Sequence, residues 1–262
     1  MQIDLTGKRA LVTGSSGGIG QAIAAGLAAS GALVFINGRS HEGVARAIEQ
    51  ISREVPDAQL AAAVGDVTDA AESVVAQAGA VDILVNNVGI YRPREAREIT
   101  DAEWREMFET NVFTGARLSR LLVDGMLERG WGRIVFIASD AAIAIPADMV
   151  HYGASKTAML ALSRGLAKSV RGTGVTVNSV IAGPTVTEGV RAFIAEKIDP
   201  ALSWEEAQAE FMRSERAPSL IGRLIEPAEI ANMVVYLSSP QASATTGGAI
   251  RVDGGYVDAV TT

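Results

Sequence analysis

Thr13-Gly14-Ser15-Ser16-Gly17-Gly18-Ile19-Gly20 follows directly on the apolar run Ala10-Leu11-Val12 and opens into a helix-period segment over 19–30. Glycines between a strand and a helix start let the backbone approach a pyrophosphate, whose charge then rests on the N–H groups of the first helical turn. A glycine-rich turn by itself is an ordinary strand–helix connection, and its place after the first strand is what gives this one weight. The stretch predicts a dinucleotide-binding α/β fold.

Outward from it, the same alternation recurs. Further strand candidates are Leu33-Val34-Phe35-Ile36, residues 60–64, Ile83-Leu84-Val85, Ile134-Val135-Phe136-Ile137, Val175-Thr176-Val177 and Ala249-Ile250-Arg251-Val252. Their near-continuous hydrophobicity indicates strands covered on both faces. Helical patterns over 101–129, 154–170 and 227–237 lie between them, and 68–81 leaves room for a short helix only. The expected architecture is a single domain over 1–262, a Rossmann-type doubly wound parallel sheet of about seven strands with helices on both faces. One region, 187–222, has no strand candidate. It reads as two amphipathic pieces, Val190, Phe193 and Ile194 on one and Trp204, Ala207 and Phe211 on the other, separated by Pro200. Ser203-Trp204-Glu205-Glu206 is a capping-box start for the second. Residues 188–222 are therefore expected to form a helical substrate lid.

Composition narrows the chemistry. The 262 residues are 48% hydrophobic and 20% charged, the balance of a globular protein with a large core. A net charge of −7 argues against nucleic-acid and anionic-membrane partners. The absence of cysteine excludes disulfides, thiolate catalysis and Cys-ligated zinc, and with His41 and His151 the only histidines no metal site is expected. Residues 17–36 carry no charge, but five glycines, Gln21 and Ser30 dilute the segment, so it reads as a helix and a strand rather than a membrane span. Asp4, Lys8 and Arg9 precede any apolar run, unlike a secretory signal, and a cytoplasmic location is the expectation.

Thr13-Gly14-x-x-x-Gly18-Ile19-Gly20 resembles the cofactor motif of the short-chain dehydrogenase/reductase superfamily, and further landmarks appear in that family's order. Asp66-Val67 ends strand three, Asn86-Asn87-Val88-Gly89 ends strand four with Val88 in place of Ala, and Asn111 lies in the long helix. Ser139 ends strand five, Tyr152-x-x-x-Lys156 follows, and Gly248 with Val252-Asp253-Gly254-Gly255 matches the last strand. Essentially the whole chain outside 188–222 is covered. The resemblance implies that Gly14, Ser16, Gly18, Ile19 and Gly20 hold pyrophosphate, that Asp66 and Val67 meet adenine, and that Asn87, Val88 and Gly89 line the cofactor. It places Gly183, Pro184, Thr185 and Thr187 along the nicotinamide, although Ala182 replaces the usual Pro and a backbone stiffener is lost.

The implied catalytic set is Asn111, Ser139, Tyr152 and Lys156, and its physics stands independently. Free Tyr has a pKa of ~10, and a neighbouring ammonium favours the phenolate. Tyr152 and Lys156 are one helical turn apart and can face one site. Ser139 can stabilise developing alkoxide charge. The resemblance gives Lys156 a hold on the nicotinamide ribose and gives Asn111 a water relaying protons. Each residue also has a structural reading: amphipathic surface for Tyr152, a solvated helix position for Lys156, a strand-end cap for Ser139, a helix-interior polar residue for Asn111. His151 points away from its neighbour Tyr152 and is expected at a pocket rim or the surface, and Trp104 is expected buried against a partner or the core.

Cofactor choice turns on the end of strand two, Asn37-Gly38-Arg39-Ser40. An acid there would bind the ribose hydroxyls of NAD and repel a 2′-phosphate. Gly38 stands in its place, and Arg39 with Ser40 can take the phosphate, so NADP(H) is expected ahead of NAD(H). The second basic position of NADP-dependent relatives is Gly17 here. The function expected is hydride transfer between nicotinamide and a carbonyl or secondary alcohol of a small, fairly apolar substrate, with Tyr152 as general acid/base. The rivals are a 3-oxoacyl-carrier-protein reductase, with Gly130 and Thr173 at the docking positions beside Arg129 and Arg171, and a non-catalytic NAD(P)-binding sensor or scaffold. By resemblance, helices 101–129 and 154–170 pair across two-fold axes into a dimer or a tetramer, the tetramer favoured.

Overall fold

The strands form where the apolar runs place them. In the computed structural model, which describes residues 2–260, they are β1 (Arg9–Val12), β2 (Leu33–Gly38), β3 (Gln59–Val64), β4 (Ile83–Asn86), β5 (Gly132–Ser139), β6 (Val175–Ala182) and β7 (Ala249–Val252). They make one sheet in the order β3-β2-β1-β4-β5-β6-β7, with every neighbouring pair parallel. The continuous hydrophobicity has a direct cause. Along β1, β4 and β5, successive residues alternate between two cores: Val12, Ile83, Val85, Val135 and Ile137 face one, and Leu11, Leu84, Ile134 and Phe136 face the other. Both faces are covered, so both sets must be apolar.

The first core is closed by α1 (Gly18–Ala29), α2 (His41–Glu54) and α9 (Pro227–Leu237), through Ile23, Leu27, Val44, Ile51, Ile230 and Val234. The second is closed by α3 (Ala71–Ala78), α5 (Thr114–Glu128) and α6 (Val150–Ser169), through Val74, Leu118, Leu122, Met126 and Met159. The chain leaves β1 toward β2 on one side and later returns to β4 on the other. This reversal opens a crevice at the carboxyl ends of β1 and β4, where α/β sheets bind ligands.

Three details differ from the sequence reading. The long helix expected over 101–129 is α4 (Asp101–Phe108), a π-helical turn Glu109–Phe113, then α5, so Asn111 sits in an inserted turn of the kind that collects at functional sites. Helix α6 begins at Val150 rather than 154, which puts Tyr152 inside its first turn. His151 is not at a rim or the surface: it is buried, 1% exposed, with its ring 6.0 Å from that of Trp104. The expectation that it points away from Tyr152 holds, but what it meets there is α4 rather than solvent.

Residues 188–222 hold α7 (Glu188–Lys197) and α8 (Trp204–Glu215), and the Ser203–Glu206 capping box is formed. Ile194, Ala207, Phe211, Met212 and Leu224 make a small core of their own, separate from the two sheet cores, and Val190, Phe193 and Trp204 pack against it.

Candidate active site

The crevice at the strand ends contains two adjoining cavities. The larger, about 540 Å³, is lined by Gly14, Ser16, Asn37, Gly38, Arg39, Asp66, Val67, Asn87, Val88 and Gly89. The smaller, about 210 Å³, is lined by Ile19, Ser139, Tyr152, Lys156, Gly183, Pro184, Thr185 and Thr187, with Tyr91, Met149, Val190, Phe193 and Phe211. Asn87, Gly89 and Ile90 belong to both, so one groove runs across the sheet from β3 to β6.

The glycine turn is held by side chains rather than by its own backbone alone. Thr13 Oγ1 accepts from the N–H groups of Asn87 (2.9 Å) and Val88 (3.1 Å), while Asn87 Nδ2 donates to the carbonyls of Thr13 and Gly14. Asn37, buried at the end of β2, accepts from Gly14 N–H (3.1 Å) and donates to the carbonyls of Ala63 and Gly65. A Cβ at Gly20 would stand 2.4 Å from the Gly14 carbonyl oxygen, so α1 reaches this close to β1 only with glycine there. No side chain caps α1 and no acid occupies its first turn. Its free N–H groups therefore face the groove as an anion site.

Groove length, glycine-walled backbone and an uncapped helix start fit a dinucleotide. At its far end Gly38 is tightly placed: a Cβ there would lie 3.0 Å from Ser16 and 3.1 Å from Val44. Arg39 is exposed beside it and makes no ion pair among the described residues. Ser40 does not line the cavity; its hydroxyl accepts from Gly43 N–H (3.1 Å) as the cap of α2. Asp66 accepts from the Thr68 hydroxyl (2.7 Å) and N–H, which hold its carboxyl below the usual range. At the other end, β6 runs through Ala182 in register with Val252 despite the missing proline, and Thr185 bridges Ile225. Thr187 caps α7.

Ser139, Tyr152 and Lys156 converge on the smaller cavity. Lys156 is buried, its Nζ donates to the Ile137 carbonyl (2.9 Å), and it lies 5.8 Å from the centre of the Tyr152 ring. Burial holds this ammonium down to about 8. Burial also pushes the Tyr152 hydroxyl well above its ordinary range; Ser139 and Arg216 favour its ionised form, and Asp140 and Tyr91 oppose it. The expected depression of Tyr152 by Lys156 is thus not the dominant influence in this geometry. Asn111 is 2% exposed; its Nδ2 donates to the Ile90 carbonyl and Ser155, and its Oδ1 accepts from Ile90 N–H. A Cβ at Gly89 would be 3.2 Å from Lys156 Nζ and 3.3 Å from Asn111 Oδ1, so both flank the same point of the groove.

Sequence reasoning did not find four residues of this region: Asn37, Tyr91, Asp140 and Arg216. Asn37 and Asp140 each adjoin a residue singled out, but neither belongs to a spaced pattern. Tyr91 and Arg216 reach the cavity from loops, which carry no period to read.

A Rossmann sheet with a dinucleotide-shaped groove and a Ser–Tyr–Lys constellation defines a nicotinamide-dependent oxidoreductase class. The short chain dehydrogenase family model matches residues 8–197. The chain is 47% identical over 264 residues to an uncharacterized oxidoreductase, YvaG, of Bacillus subtilis, covering 99% of this chain and 100% of that protein. It is 36% identical over 260 residues to the 3-oxoacyl-acyl-carrier-protein reductase FabG of Vibrio harveyi, covering 97% and 98%. The crystal structure of L-sorbose reductase from Gluconobacter frateurii, complexed with NADPH and L-sorbose, superposes with a TM-score of 0.93 at 30% identity, covering 99% and 100%. The chain belongs to the short-chain dehydrogenase family.

Proposed function

We propose that the protein is an NADP(H)-preferring carbonyl reductase or secondary-alcohol dehydrogenase with Tyr152 as its general acid/base. The observation that carries this is the convergence of Ser139, Tyr152 and Lys156 on one cavity that continues into the dinucleotide groove. Gly183–Thr187 would hold the nicotinamide, which would supply or accept the hydride there. In reduction Tyr152 gives its proton to the carbonyl oxygen, and Ser139 donates a hydrogen bond to the same oxygen as charge develops there. Lys156, its ammonium held down to about 8 by burial, would hold the ribose and take part in returning the proton to Tyr152. Asn111 fixes Ile90 and so the wall facing Lys156. A water held by Asn111 would relay protons to Lys156.

The substrate is small and fairly apolar, because Tyr91, Pro146, Met149, Val190, Phe193 and Phe211 make most of the remaining wall. Residues 188–222 act as its lid. The likeness to FabG supports a second reading, reduction of a carrier-bound 3-oxoacyl group. Against it, Arg129 is already committed, donating to Asp82 (3.1 Å) and to the Val81 carbonyl (2.6 Å), and is not free to dock a carrier. A sensor or scaffold role has no support from a site that keeps both Tyr152 and Lys156. The test is turnover of a panel of ketones and 3-oxoacyl thioesters with NADPH and with NADH. Turnover of small ketones, faster with NADPH, is the result expected; turnover of no carbonyl compound would contradict the reading.

A further inference from the structure

Ser139 is followed in the chain by an acid that is almost wholly buried. Asp140 is 2% exposed, and its two oxygens have different partners. Oδ1 accepts from the Ser139 hydroxyl at 3.0 Å, and Oδ2 accepts from Arg216 at 3.0 Å. Arg216 follows the last residue of α8, its side chain is 16% exposed, and its guanidinium lies 4.6 Å from the centre of the Tyr256 ring. The backbone beyond it is pinned to the C-terminal loop, where Leu220 and Ile221 donate to the Gly254 carbonyl. Both Asp140 and Arg216 line the cavity that holds Tyr152. A buried charge pair of this kind is weak evidence for stability, since desolvation offsets most of the attraction. Its place beside the proposed acid/base needs another account.

Ser139 has one proton. In the free site the Asp140 carboxylate accepts it, and Ala141 N–H donates to Ser139 Oγ at 3.2 Å, so a substrate oxygen takes the serine's hydrogen bond over from Asp140. We propose that Asp140 and Arg216 are positioning residues for the Ser139–Tyr152 pair: Asp140 holds the serine hydroxyl in place until a substrate oxygen takes its hydrogen bond, Arg216 balances the charge of Asp140, and the docked end of α8 thereby becomes part of the catalytic setting. This rests on the reading of Tyr152 as acid/base. The charges around Tyr152 come from every side. Lys156 is on its own helix, Tyr91 follows β4, Asp140 follows β5, and Arg216 follows α8. Asp253 acts on Asp140, and Glu196 acts on Tyr91. Only Asp140 and Arg216 form a mutually compensating pair, so removing either leaves one uncompensated charge beside the phenol.

The signs are opposite. In alcohol oxidation the substrate hydroxyl proton passes to the Tyr152 phenolate, so the rate rises with pH as Tyr152 ionises. Asp140→Asn leaves the Arg216 cation, which favours phenolate and moves that limb to lower pH. Arg216→Met leaves a carboxylate, ionised on the alkaline limb, which moves it to higher pH. The experiment is the pH dependence of kcat/KM for the secondary alcohol oxidised fastest with NADP, in wild type, Asp140→Asn, Arg216→Met, the double variant and Tyr152→Phe, with thermal unfolding of each. Opposite shifts of about one pH unit are expected for the single variants. The double variant should return close to wild type, and Arg216→Lys should restore the wild-type limb. If Arg216→Met does not fold, Arg216→Gln replaces it. Single variants that lose rate with the limb in place, or that shift it the same way, overturn the proposal while an inactive Tyr152→Phe leaves the acid/base reading standing. A Tyr152→Phe enzyme of normal rate, or a wild type acting on no alcohol or ketone, overturns that reading first.

Discussion

Two side chains set what the site binds and at what cost. Arg39 follows β2 and makes no ion pair among the described residues, and a side chain at Gly38 before it would crowd Ser16 and Val44. Arg39→Asp should lower kcat/KM for NADPH by about tenfold to a hundredfold and leave NADH equal or better, the size of one lost charge-assisted contact plus a new repulsion. A variant that still prefers NADPH would remove Arg39 from the phosphate site. Lys156 is held down to about 8 by burial, against about 10.5 in the unfolded chain. The unfolded state then binds more protons between those values, so the cost of burying the ammonium is full below pH 8 and relieved as pH rises toward 10.5. Lys156→Met should therefore stabilise the cofactor-free protein at neutral pH by about 1–2 kcal/mol, less the lost bond to Ile137, and the gain should shrink over that window. Thermal unfolding at several pH values checks it; a gain that does not change with pH would contradict the assignment.

At the scale of elements, the sheet was legible because each strand is a short apolar run between turn signals, and all seven form where those runs lie. The π-helical turn at Glu109–Phe113 was not legible. Within it Asn111 is tied to Ile90 and Ser155, tertiary contacts with no local sequence signal. His151 was misplaced for the same kind of reason: its burial depends on Trp104 from another helix. In the site, spaced patterns exposed Tyr152 with Lys156 and the glycine turn, whereas Asp140 and Arg216 meet only through a contact spanning 76 residues. Helices α7 and α8 have their own small core, so a lid made of them would open without unfolding the sheet. Phe193→Ala, which removes a wall of the cavity and part of that core's packing, should raise proteolytic nicking within 188–222 while changing the main unfolding transition little. In wild type, NADPH with substrate should suppress the nicking. Cleavage indifferent to both ligands would show that the segment is not a lid.

The whole molecule joins a rigid sheet, which fixes Ser139 and the glycine turn, to helices α5 and α6, which also offer outer faces. Phe113, the last residue of the π-helical turn before α5, is an apolar side chain 51% exposed. Pairing through these helices predicts a light-scattering mass at a multiple of 27.3 kDa, four times that value for the tetramer; a mass of one chain would contradict it. In the proposed reaction a proton moves through Tyr152 as a hydride moves at the adjoining groove. Its most direct test is the rate of NADPH-dependent ketone reduction by Tyr152→Phe beside wild type, with NADPH binding measured in both. The deletion removes one oxygen and no packing surface of consequence. NADPH binding should be undiminished and turnover down by roughly a hundredfold to ten-thousandfold, the range of general acid catalysis. Wild-type turnover in Tyr152→Phe would contradict it.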